Sequence, residues 1–181
     1  MAAEPFFSRK DNHGIVYGKD GSTMTDEQQG TDKAPSDGPA ETPADANIDS
    51  MTPDDIAKRL KEHTFDVKDK TLNLPMGDKV AVVKAFAPLL QAYCDIVPKV
   101  AAKAQDYFKK NNVPVRMIKA VDIYYYELKR AMKKYPEVLD DPNLKVAIES
   151  VITPYEKVIQ TMSDIARKYC KQRGQNYDTD F

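Results

Sequence analysis

Only two histidines occur in this chain, His13 and His63, and they lie in different regions of it. Neither belongs to a His-x₃-His or Glu-x-x-His spacing, which would put two ligands on one helix face, so no metal site is expected. The adjacent acids Asp54–Asp55 and Asp140–Asp141 are the residue type for general acid–base work. Each pair stands beside a proline at a helix start, where capping and the helix dipole account for it. Ser150 and Ser163 have no histidine near them in sequence, and Cys94 sits on an apolar seam, where a thiol is packing material. The stretch "GIVYGKDGS" approaches a phosphate loop, but Gly14 and Gly18 enclose three residues instead of four. Asp20 also stands where a Ser or Thr hydroxyl must follow the lysine. No enzymatic activity, cofactor or small-molecule substrate is expected.

The cations and tyrosines offer binding chemistry instead. The turn after the first long helix and the end of the third gather Lys109, Lys110, Arg116, Arg167, Lys168, Lys171 and Arg173. Lys119, Lys129, Arg130, Lys133 and Lys134 extend this basic side along the second. Such a patch faces anions: nucleic-acid phosphates, an acidic protein, or the chain's own acidic N-terminal arm. In "AVDIYYYELKRAMKKY", Tyr124 and Tyr125 flank the seam through Val121 and Leu128 and belong to the core or its edge. Tyr126 points about 140° away from Val121 on a helical wheel, among Asp122, Arg130 and Lys133, with Ile123 on the same polar side. One exposed ring remains as a contact.

These residues need long helices to position them. Six of the seven glycines precede residue 78 and the last is Gly174, which leaves a 96-residue span without this breaker. Within it Val80, Val83, Ala87, Leu90, Cys94, Val97, Ala101, Ala104 and Phe108 repeat in steps of 3 and 4, in one phase past Pro88 and Pro98. Met117 to Tyr135 and Leu144 to Tyr169 carry similar seams, the latter through Pro154. The spacing predicts helices at about 78–111, 114–135 and 142–173. Short links make neighbours antiparallel, so the expected fold is all-α, an up-down-up three-helix bundle with long kinked helices. Ahead of it, residues 52–76 read as a short capped helix ending near His63 and an extended strap carrying Phe65, Val67, Leu72 and Leu74.

The first long helix has a second apolar stripe, Val82, Phe86, Leu89, Tyr93, Ile96, Val100 and Tyr107. Two neighbouring helices do not obviously cover so broad an arc. Either the 52–76 segment folds over it or a protein partner or second copy does.

Residues 1–52 carry ten acids and four bases, the remainder eighteen acids and twenty-three bases, so an acidic arm of net −6 precedes a body of net +5. Residues 1–51 have too few large apolar side chains to order themselves; two islands, Phe6–Phe7 and Ile15–Val16–Tyr17, read either as leftover apolar residues or as a short motif that docks on a partner or on the body. Residues 175–181 read as a frayed acidic tail. Two cysteines, no apolar leader and no run of 18 apolar residues fit a cytoplasmic chain without a membrane segment. The sequence therefore suggests a non-enzymatic helical adaptor or assembly subunit that binds a protein partner or itself through the broad face of its first long helix. The alternative is an accessory nucleic-acid-binding subunit that uses the basic end.

Overall fold

The computed structural model describes residues 48–181. The islands Phe6–Phe7 and Ile15–Val16–Tyr17 lie outside the described residues, as does the rest of the arm to residue 47. The last residues assigned to the arm belong to the body: Ile48–Ser50 form a 3₁₀ turn and Ile48 is buried. The Lys103 ammonium holds this turn, donating to Ile48 O at 2.9 Å, Asp49 O at 3.0 Å and also to Met51 O.

Helix α1 spans Pro53–Leu72 and starts with a capping box. The Asp55 amide donates to Thr52 Oγ1 at 3.2 Å, and the Thr52 amide donates to the Asp55 carboxylate at 3.4 Å. The extended strap expected after His63 is not found; the helix simply continues through it. Its buried stripe is Ile56, Leu60, Thr64, Val67 and Thr71, and the two threonines conceal it in a hydropathy pattern. Thr64 Oγ1 donates to Leu60 O at 2.8 Å and Thr71 Oγ1 to Val67 O at 2.6 Å. A hydroxyl satisfied by its own helix can enter a core without an orphaned donor. Phe65 and Leu72 lie off this stripe and face solvent.

Asp78 caps helix α2, Lys79–Lys109, which runs unbroken through Pro88 and Pro98. Pro88 is on the solvent side, where the carbonyl it leaves without a helical donor is open to water. Helix α3 is Val115–Lys134. Helix α4, Pro142–Ala147, passes through a π turn, Ile148–Ile152, into α5, Thr153–Gln172. The wide turn falls where Pro154 withdraws a backbone donor from the ladder. The described residues are all-α, with no strand among them.

Ring pairs fix the directions. Phe86 meets Tyr135 at 6.0 Å and Tyr93 meets Tyr124 at 5.4 Å, so α2 and α3 are antiparallel. Arg167 faces Asp122, and Lys129 faces Glu156, so α3 and α5 are antiparallel as well. Arg116 reaches Asp54 and Lys68 reaches Glu127, both at 3.6 Å, which makes α1 and α3 a parallel pair. Ala57, Thr64, Thr71, Ala120 and Ala131 are small residues buried on these two helices, which allows a close approach.

This arrangement corrects the docking face expected on the first long helix. Val82, Phe86, Leu89, Tyr93, Ile96 and Val100 are core residues, and Tyr107 is half-buried. A full-length α1, with α3 and α5, encloses the second stripe within the chain. The outward apolar residue at the start of α2 is Val80, from the first seam. Helix α2 is also the one described helix long and apolar enough to cross a membrane by length and composition, and ten of its residues are buried in this fold.

Candidate functional site

Besides Val80 at the start of α2, the exposed large apolar side chains among the described residues are Met76, Leu139, Val146, Ile165 and a set beside the α1–α3 seam. Along the α1–α3 seam, Phe65 is 69% exposed, Leu72 66%, Tyr126 64% and Ile123 40%. Phe65 and Ile123 line a small recess of about 140 Å³ with Lys61, Thr64, Lys68 and Ala120. Lys68 also lines a groove of about 640 Å³ with Val67, Thr71, Leu72, Glu127, Arg130, Ala131, Lys133 and Lys134. The two recesses thus share a wall and form one trough between parallel helices. Its floor is apolar and its walls are mainly cationic, with Lys68 and Arg130 both held toward Glu127, at 3.6 and 3.8 Å. Tyr126 stands three residues from Ile123 and four before Arg130 on the outward stripe of α3.

The basic residues singled out in sequence separate into different environments. Lys109 pairs with Asp106 at 3.0 Å on the surface, and Lys110, Lys168 and Lys171 are exposed. Arg116 and Arg173 line a recess of about 390 Å³ with Tyr107, Tyr169 and Phe181, where Arg173 lies 4.1 Å from the Tyr169 ring and Arg116 faces Asp54. Lys129 bonds Glu156 and lies over the Tyr125 ring. That pair holds the Glu156 carboxyl below, and the Lys129 ammonium above, their ordinary ranges. Arg130, Lys133 and Lys134 line the trough. The expected continuous anion patch is therefore divided, because carboxylates from α1, α3 and α5 are interleaved with it.

Lys119 and Arg167 serve the chain's own C-terminus, which is docked rather than frayed. Helix α5 ends in a Schellman turn, with Gly174 at φ +67 and the Gln175 amide donating to Cys170 O at 3.0 Å. Two residues later Tyr177 is 4% exposed between α3 and α5. Lys119 Nζ donates to Tyr177 O and Asp178 O, each at 2.9 Å. Lys119 lies 5.7 Å and Arg167 4.9 Å from the ring centre. The phenol stands beside Ser163, itself buried, and Asp122; burial pushes its pKa up to about 12. Burial likewise pushes the Asp122 carboxyl up, against the opposing pull of Ser163, Arg167 and Tyr177. Beyond the ring, the Asn176 amide donates to the Asp180 carboxylate at 2.7 Å, which holds that carboxyl below its usual range.

In sequence Phe65 and Leu72 read as strap residues and Lys61 and Lys68 carry no signal, because Thr64 and Thr71 hide the continuation of α1; Tyr177 is hidden by the polar tail around it. The usable signal for Tyr177 was a lone aromatic just after a helix-ending glycine, where Schellman turns place an apolar contact. No protein-family model, curated protein or solved structure matches this chain.

Proposed function

We propose that this chain is a non-enzymatic helical interaction protein, an adaptor or assembly subunit, that receives an acidic amphipathic segment of a protein partner in the α1–α3 trough. One observation carries this reading. The exposed Phe65, Leu72 and Ile123 line the trough between cationic walls, with the exposed Tyr126 beside them on α3. Apolar anchors supply affinity, and cations select an acidic partner and speed its approach. The concave trough suits an inserted segment better than a flat lipid surface, and Glu127 at its wall disfavours a run of phosphates.

A synthetic helix with leucine at i, i+3, i+4 and i+7 and glutamate elsewhere tests the reading. It should bind the full chain saturably, and Phe65→Asp with Tyr126→Asp should weaken binding at least tenfold without lowering helicity. Absent binding, or equal binding by the variant, overturns the proposal. Tyr126, beside Arg130 and Lys133, is also the kind of ring on which a base stacks. Salt-sensitive binding of a single-stranded oligonucleotide that Tyr126→Ala abolishes, with no binding of the acidic helix, would assign the surface to nucleic acid instead.

A further inference from the structure

The docked tail has the anatomy of a bound peptide. One aromatic anchor enters a slot between two helices, an ammonium collects two successive backbone carbonyls, and acidic side chains stay at the rim. Apart from the half-buried Phe181 in the recess beside Tyr107 and Tyr169, little else fastens it: Asn176, Asp178, Thr179 and Asp180 are exposed, and their hydrogen bonds are mostly among themselves. The segment can therefore detach by local opening at Gly174 while the four-residue contact surface of the slot, Lys119, Asp122, Ser163 and Arg167, stays on rigid helices.

We propose that the α3–α5 slot is a recognition site for an acidic peptide segment with tyrosine followed by aspartate, occupied in cis by the chain's own residues 175–181 and open to the same motif on a protein partner. The slot selects tyrosine by two features. Lys119 and Arg167 flank the ring, and its buried hydroxyl, like the buried Ser163 Oγ, forms no hydrogen bond among the described residues, so depth rather than a paired hydroxyl sets the fit. It selects for backbone after the tyrosine, because Lys119 binds main-chain oxygens that any residue provides. Arg167 adds an acidic preference at the next position through Asp178, 3.8 Å away. The depth of the hydroxyl and the neighbouring Asp122 exclude a phosphorylated tyrosine, which would bring two negative charges against a carboxylate. A tethered tail competes at a high effective concentration, so a partner's motif binds measurably only when the tail is weakened or the partner is abundant. This site is separate from the α1–α3 trough and does not rest on it.

The test uses the full chain with Tyr177→Ala and a fluorescent peptide of sequence Gly-Gln-Asn-Tyr-Asp-Thr-Asp-Phe, read by anisotropy. Saturable binding is expected, at least tenfold weaker for the unaltered chain. It should also fall at least tenfold when the peptide tyrosine is alanine or phosphotyrosine, or when Lys119→Met is added to the protein. Phe65→Asp should leave it unchanged, which separates this site from the trough. Should Tyr177→Ala lose helicity, the unaltered chain with millimolar peptide decides by NMR, through shifts of the Asp122 and Ser163 amides. No saturable binding, equal binding by the two chains, or tighter binding of the phosphotyrosine peptide overturns the proposal.

Discussion

An ammonium group has three donors and can gather carbonyls that a turn leaves without partners. Lys103 does this for the entry turn at Ile48–Met51, and Lys119 does it for the tail at Tyr177–Asp178. Lys103 therefore anchors the turn that leads into α1 and Lys119 the segment after α5, and neither is free surface charge. The tail also has a titration signature. Tyr177 faces Ser163, Asp122 and Arg167 in the slot, with Lys119 and Asp178 beside it, and its pKa is raised from an ordinary value of 10.0 to about 12. A raised tyrosine contributes stability that is complete below pH 10.0 and is lost as pH rises through about 12. Alkaline titration at the phenolate absorbance should thus show Tyr177 titrating late, together with tail release, but ahead of Tyr93 and Tyr124, which burial raises further. Tyr177→Phe should remove that step and leave the helical signal unchanged. A normal titration of Tyr177 would mean that the ring is not held in the slot.

At the scale of elements, α1 decides what the surface is. Its helical stripe through Ile56, Leu60, Thr64, Val67 and Thr71 covers the core and turns Phe65 outward. Leu60→Ala should cost about 2–5 kcal/mol in urea unfolding, while Phe65→Ala stays within about 0.5 kcal/mol. A strap with Phe65 packed inward would reverse that order, so the pair of variants is decisive. The heptad steps past Pro88 and Pro98 were legible as one helix because only a continuous rod keeps a common phase on both sides of a proline. The 52–76 segment was not legible, because two of the inward positions of its helix are threonines, Thr64 and Thr71, which interrupt the apolar period.

At the scale of the whole molecule, Tyr135 ties one end together. Its hydroxyl donates to Thr71 O at 2.9 Å, with Leu74 O at 3.2 Å sharing the proton, and its ring meets Phe86. It thereby joins the end of α1, the start of α2 and the end of α3. Tyr135→Phe strands a buried carbonyl and should lower stability by about 1–3 kcal/mol. Unfolding should remain a single transition by both circular dichroism and tyrosine fluorescence. Separate transitions for the two probes would show that α1 is not integral to the core. Helix α3 contributes to both proposed surfaces, the trough with α1 and the tail slot with α5.

The sequence by itself determined the helical class, because the long glycine-free span and the seams of 3 and 4 steps are local and need no partner to be read. It also determined that Tyr126, unlike Tyr124, faces outward, since helical geometry alone sets the angle between them. Only the tertiary structure decided how the apolar stripes of α2 are covered. Leu90, Val97, Ala101 and Ala104 of the first seam are buried along with the second stripe, while Val80 and Ala87 face outward, because burial depends on what the neighbouring helices bring against each position. The same holds for the cations. Lys119 and Arg167 resemble their exposed neighbours in sequence, and become a binding slot only because the turn at Gly174 returns Tyr177 between two helices whose residues are far apart in the chain.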